Sequence, residues 1–127
     1  MMTREDEISN FVLGSAIEVH RYLGPGLLES AYEECLAHEF MIHGRRFERQ
    51  KSIPIIYKGV NLDCGFRLDF LVEDLVIVEL KAVEKFTAIH DAQLLSHLKL
   101  MNKKLSLLLN FNVVRMAMGI RRKVNGL

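Results

Sequence analysis

Phe66-Arg67-Leu68-Asp69-Phe70-Leu71-Val72-Glu73-Asp74-Leu75-Val76-Ile77-Val78-Glu79-Leu80-Lys81 carries charges inside what otherwise reads as a buried hairpin. From Leu75 to Leu80 every residue is apolar except Glu79. A continuous run of this kind, with Val and Ile, reads as a strand covered on both faces. An ion in such a place costs several kcal/mol unless it is paired or bound to a cation. Glu79 and Lys81 are two apart and so point to the same side of a sheet. Asp69, Glu79 and Lys81 together are what a divalent-metal site for phosphodiester hydrolysis requires.

The hairpin's register decides whether these residues meet. For Asp69 to face Glu79 across an antiparallel pair, paired positions must sum to 148, centring the turn on Asp74. That demands an odd loop, such as Glu73-Asp74-Leu75, or a bulge. A two-residue loop would set Asp69 opposite Val78, on the wrong face. Neither Glu73-Asp74 nor its flanks contain Gly or Asn, so a tight primed turn is not strongly signalled.

Outward from the hairpin, helices are expected over residues 7–23, 27–42 and 88–101. The first shows apolar positions at Ile8, Phe11, Val12, Val19 and Leu23, and Gly24-Pro25-Gly26 stops it. The second is stopped by Gly44, and Thr87 is the expected N-cap of the third. Strands are expected over 46–57, with alternation at Ile53, Ile55 and Tyr57, and over 60–62, 66–72, 76–81 and 105–111. Asp63-Cys64-Gly65 should bend or bulge the chain. A last strand is expected from Arg115 into a basic tail. With 60–62 and 66–72 counted as one bent strand, the order α-α-β-β-β-α-β argues for an α/β fold with a mixed central sheet flanked by helices. The 127 residues suit a single domain, and half of them are hydrophobic, enough for a core.

The formal charge is +1, which by itself marks no nucleic-acid binder. Two local basic clusters stand out, Arg45, Arg46, Arg49 and Lys51, and then Arg115, Arg121, Arg122 and Lys123. Each reads equally as a solvated edge or as a phosphate-binding surface. Cys35 and Cys64 show neither metal spacing nor a disulfide framework, so a reducing cytoplasm is expected. No signal peptide is read at Met1 to Asp6, and no apolar run approaches the roughly 20 residues that span a bilayer, so no membrane role is expected.

Phosphodiester hydrolysis needs a clamped phosphate, an activated water and a stabilised leaving oxygen. Asp69 and Glu79 could hold Mg²⁺, a hard cation that prefers oxygen ligands, and the Leu80 backbone carbonyl could add a ligand. Lys81 could orient or help deprotonate the water. The competing reading is a buried ion pair between Glu79 and Lys81, or a strand end that reaches solvent. Glu29 and Tyr32 sit one helical turn apart on the second helix, although an early helix Glu often only complements the dipole. His90, Gln93 and His97 form a polar stripe on the third helix, read as a cleft edge that touches a phosphate backbone or as an exposed polar face. Other motifs fail. His38 and His43 are five apart, where a zinc-protease helix needs four, and Gly24-Pro25-Gly26 lacks a third Gly and a preceding strand. No phosphate-binding loop and no nucleophile elbow are present.

Taken in order, these segments resemble the GxxExxY proteins of bacteria and archaea, a branch of the PD-(D/E)XK nuclease superfamily. The naming motif stands as Gly26-x-x-Glu29-x-x-Tyr32, and the superfamily motif as Asp69, nine residues, then Glu79-Leu80-Lys81. Later segments resemble Gln93-Leu94-Leu95-Ser96-His97-Leu98-Lys99 and Leu107-Leu108-Leu109-Asn110-Phe111. The resemblance runs from about Ile8 to Arg122. It implies a restriction-endonuclease-like core, metal ligation by Asp69 and Glu79 with Mg²⁺ or Mn²⁺, and Lys81 as catalytic lysine. It also implies that Glu29 and Gln93 join the site, Glu29 as a further candidate metal ligand, as a helix glutamate and a downstream glutamine do in the exonuclease branch. The resemblance does not itself supply the substrate, and DNA is the expected one. Tyr32, His90 and His97 are then candidate substrate contacts. The position four after the glutamine is usually Tyr in this family, and here it is His97. The short DNA-binding surface of so small a domain suggests a homodimer or a protein partner. The alternative function is a catalytically weak or inactive member of the fold that binds nucleic acid or assembles a complex.

Overall fold

Thr3 opens the first helix. Its hydroxyl accepts the Asp6 N–H while the Asp6 carboxylate accepts the Thr3 N–H, the reciprocal bonding of a capping box. Helix α1 therefore runs Arg4–Leu23, three residues longer at its start than apolar spacing alone suggests. Helix α2 runs Glu29–Ile42 and starts two residues later than expected. Leu28 is extended, and the loop before it is tied to the helix by Tyr32, whose hydroxyl donates to the Gly24 carbonyl at 2.6 Å and accepts the Leu27 N–H at 3.2 Å. The computed structural model describes residues 2–127.

The strands are β1 Phe47–Ser52, β2 Ile55–Tyr57, β3 Val60–Leu62, β4 Arg67–Val72, β5 Val76–Lys81, β6 Leu105–Asn110 and β7 Ile120–Val124. Helix α3, Ala88–Met101, crosses between β5 and β6, and a short 3-10 turn, Met116–Gly119, precedes β7. The single strand expected over 46–57 is two. Pro54 has no N–H to give a ladder, so β1 ends at Ser52 and pairs with β4, while β2 pairs only with β3 in a separate two-stranded ribbon. Ile56 and Tyr57 of that ribbon are exposed, and only Ile53 of the expected alternation reaches the core. The segment after Arg115 likewise becomes strand only at Ile120.

The main sheet has order β1-β4-β5-β6-β7, with β5 and β6 parallel and the other neighbours antiparallel. It is a mixed sheet with helices on both faces, as the alternation of elements predicts. One face meets α1 and α2: Phe70, Val72, Val76, Val78, Leu80, Leu105, Leu107 and Leu109 pack against Ile8, Val12, Ala16, Leu36 and Phe40. On the other, Leu71 and Ile77 pack with Leu68, Ile53 and Leu98. Burial on both sides explains why β5 and β6 are apolar almost without interruption.

The hairpin register follows the odd loop. Phe70 pairs with Val78, Leu71 with Ile77 and Val72 with Val76, each pair summing to 148. Glu73 and Asp74 have φ of 52° and 57°, and the Leu75 N–H returns to the Val72 carbonyl at 3.0 Å. Positive φ at both central positions is the mark of a primed turn, formed here without Gly or Asn and followed by Leu75 as the third loop residue. A left-handed non-glycine residue costs on the order of 1 kcal/mol. Arg46 offsets that cost: its carbonyl accepts the Glu73 N–H at 2.9 Å and its N–H donates to the Glu73 carboxylate at 3.0 Å.

Beyond Lys81 the chain is held by Asn110, the buried last residue of β6. Its side chain accepts the Val83 N–H at 3.1 Å and donates to the Val83 carbonyl at 2.8 Å. Gly119 lies against this residue so closely that a Cβ there would overlap the Asn110 carbonyl oxygen. Gly119→Ala is therefore expected to cost about 1–3 kcal/mol through overpacking. Urea unfolding checks this, and an unchanged midpoint would contradict the packing described.

Candidate active site

The β4–β5 ladder stops at Phe70 and Val78. One pair further, the same register sets Asp69 opposite Glu79, and there the two strands part. The Leu80 N–H turns to a side chain instead of a backbone partner, donating to Asp69 Oδ2 at 2.7 Å. A strand residue directs its N–H and its C=O to the same edge, so the Leu80 carbonyl faces the same opening as Asp69. Lys81 lies two residues beyond Glu79 on the same side of β5.

Each carboxylate is held separately. Asp69 Oδ1 accepts from the Gln50 side-chain amide at 3.2 Å, and Gln50 is the residue of β1 opposite Asp69 in the β1–β4 register. Gln50 also has a φ of 51°, a strained position in the middle of a strand and of the kind that clusters at functional sites. Its amide reaches Glu33 Oε1 on α2 at 2.6 Å. Glu79 Oε2 lies 2.6 Å from His97 Nδ1 on α3. Lys81 makes no ion pair among the described residues, so the buried Glu79–Lys81 pair is not formed.

Burial holds the Asp69 carboxyl above the usual carboxylate range. The Leu80 N–H pulls it down, the charges of Glu33 and Glu79 push it further up, and the Gln50 amide lowers it slightly. Negative charge is thus concentrated around a half-buried carboxylate that has no cationic side-chain partner among the described residues. Two carboxylates and a main-chain carbonyl are hard oxygen donors of the kind Mg²⁺ and Mn²⁺ take. The residues fit a divalent cation in donor type and in charge. Among the described residues, however, no group of three or more His, Cys, Asp or Glu side chains is close enough to hold a metal ion by itself.

The remaining residues fall around this centre unevenly. Glu29, the first residue of α2, and Gln93 on α3 are exposed and make no side-chain hydrogen bond or ion pair among the described residues. Tyr32 is fully buried, with its ring stacked on Phe111 at 4.5 Å, so it shapes the Gly24–Leu28 loop from inside and has no surface to offer a substrate. His90 Nδ1 accepts the Thr87 N–H at 3.0 Å and caps α3. His97 contacts Glu79. The sequence reading missed Glu33 and Gln50. Glu33 sits one turn after Glu29 on the same helix face, a signal that spacing could have supplied. Gln50 is visible only through the β1–β4 register.

The basic clusters also separate. Arg49 is bound to Glu33 and Glu34, Arg46 to Glu73 and Lys51 to Glu48, while Arg45 lies over the Phe11 ring. Arg122 is paired with Asp6. Arg115, Arg121 and Lys123 have no acidic partner among the described residues, and Arg121 lies over the Phe86 ring at 5.3 Å.

The upward shift at Asp69 has a stability consequence for the metal-free protein. A carboxyl whose folded pKa is raised binds its proton more tightly in the folded state, so its contribution falls as pH rises from its ordinary value through the raised one. Asp69→Asn removes that penalty. The variant is expected to melt higher than the parent at pH 7 in chelator, with the gain shrinking on acidification toward pH 4. A variant that is less stable at pH 7 would contradict the electrostatics described.

The match to known proteins is at the level of family. A family model described as PD-(D/E)XK nuclease superfamily matches residues 6–123. Searches of curated proteins and of solved structures each found no match. The matched span takes in almost all of α1, the carboxylate hairpin, α3 and almost all of β7, and the mixed sheet between helices agrees with that family's core. The chain belongs to the PD-(D/E)XK nuclease superfamily.

Proposed function

We propose that the protein is a divalent-metal-dependent nuclease that hydrolyses phosphodiester bonds in DNA, and that within its superfamily it belongs with the GxxExxY proteins. One observation carries the reading. The odd hairpin loop places Asp69 opposite Glu79 where β4 and β5 part, with the Leu80 carbonyl facing the same opening and Lys81 free of any ion pair among the described residues. Asp69, Glu79 and the Leu80 carbonyl are the proposed ligands of Mg²⁺ or Mn²⁺. A bound ion there would supply Lewis-acid stabilisation of the phosphate and lower the pKa of a water. Lys81 orients that water and offsets charge on the phosphate. Glu29 and Gln93, exposed at the head of α2 and on α3, are proposed to complete the site when substrate is in place. Arg115, Arg121 and Lys123 are available to neutralise phosphates, so affinity should fall with rising salt.

A second reading is favoured by a specific observation: among the described residues, no group of three or more His, Cys, Asp or Glu side chains is arranged to hold a metal ion. On that reading the chain binds nucleic acid or assembles a complex with little turnover of its own. Both readings leave room for a homodimer or partner that supplies further surface; among the described residues no helix is long and apolar enough to cross a membrane.

Cleavage of labelled single- and double-stranded DNA in Mg²⁺, Mn²⁺ or EDTA separates them. Metal-dependent cleavage should be lost in Asp69→Ala. Lys81→Ala should lower the rate by about 10²-fold or more, the usual contribution of a group that moves or orients a proton. Glu79→Gln should abolish metal binding in calorimetry while circular dichroism stays unchanged. Folded protein that cuts neither substrate in any metal would favour the binding reading.

A further inference from the structure

We infer that His97 is a positioning residue that fixes Glu79 in the orientation needed to receive a divalent cation. The inference rests on the metal-site reading above. A Glu side chain has three rotatable bonds, and opposite Glu79 on β6 stands Leu108, which has no polar group to steady it. Its carboxylate makes one polar contact among the described residues, to His97 Nδ1 at 2.6 Å. An ionised carboxylate can only accept, so Nδ1 carries the hydrogen and donates. That bond engages Oε2 and leaves Oε1 without a hydrogen bond among the described residues.

The ring is well placed to hold a rotamer. The side chains of His97 and Glu79 are 16% and 14% exposed, so water competes weakly for the bond. His97 sits on α3 between Leu94 and Leu98, both buried, and Leu98 packs with Leu71 and Ile77 of the carboxylate hairpin. The height of the imidazole over β5 is therefore set by the same core that sets the sheet. Gln50 serves Asp69 in a parallel way from the other side, through a neutral amide. A Lys or Arg placed against either carboxylate would compensate its charge and compete with a cation. A carboxylate ligand is commonly oriented by a further hydrogen bond, and loss of such a partner typically costs 10–100-fold in metal affinity.

The rival role for His97 is a simple tie between α3 and β5. Isothermal titration of Mn²⁺ into the wild type, His97→Phe and His97→Gln, alongside thermal melts, distinguishes them. His97→Phe should bind Mn²⁺ about 10–100-fold more weakly, and His97→Gln, which restores an N–H donor, should recover most of the affinity. If His97→Phe does not fold, His97→Leu takes its place as the variant without a donor. Folded His97→Phe or His97→Leu that binds Mn²⁺ as tightly as the wild type, with only a lowered melting temperature, overturns the inference and leaves the metal site standing. Equal weakening in His97→Gln and His97→Phe overturns it too, because the donor is then not what matters. A wild type that binds no Mn²⁺ overturns the metal-site reading and this inference with it.

Discussion

Everything at the site depends on the register of one hairpin. With paired positions summing to 148, Phe70, Val72, Val76, Val78 and Leu80 face α1 and α2, and Asp69 comes opposite Glu79. A slip of one residue would set Asp69 beside Val78 and turn the hydrophobic set around. The three-residue loop that fixes the register requires Glu73 and Asp74 to be left-handed. The two backbone-directed bonds between Glu73 and Arg46 hold it there. The acidic pair at the loop thus contributes to the geometry of the acidic pair at the other end of the hairpin.

The second constraint is the parting of the strands. A regular ladder would satisfy the Leu80 N–H with backbone and close the space between β4 and β5. Asp69 instead takes that N–H with its side chain, which satisfies a donor that would be costly to leave unpaired and keeps an edge of β5 open beside the carboxylates. The burial that follows raises the Asp69 pKa, with Glu33 and Glu79 adding to it. A carboxyl whose folded pKa is raised weakens stability at neutral pH, and perturbed groups of this kind cluster at functional sites.

Much of this was legible in the residues. Charges inside an apolar run pointed to Asp69, Glu79 and Lys81, and the arithmetic of the loop narrowed the register to one that an odd loop satisfies. β5 and α3 have the bounds expected of them, because an apolar run broken only by Glu79 and a Thr87 cap leave little choice. What was not legible depended on long-range pairing. Pro54 marks a break, but only the sheet topology shows that β1 joins β4 and leaves β2 and β3 apart. Gln50 becomes relevant only because β1 lies beside β4. Tyr32 has the spacing of a site residue, yet its ring stacks on Phe111 inside the core. The basic clusters look alike in sequence, whereas Glu33, Glu34, Glu48 and Glu73 partner most of the first.

The central claim is that the opening between β4 and β5 receives a divalent cation on Asp69, Glu79 and the Leu80 carbonyl. The most direct measurement is anomalous scattering from a crystal of the protein soaked in Mn²⁺. The account predicts a peak in that opening, about 2.0–2.6 Å from oxygens of Asp69 and Glu79 and from the Leu80 carbonyl. No peak there at saturating Mn²⁺, or one held by Glu29 or Glu33 without Asp69 and Glu79, would contradict it.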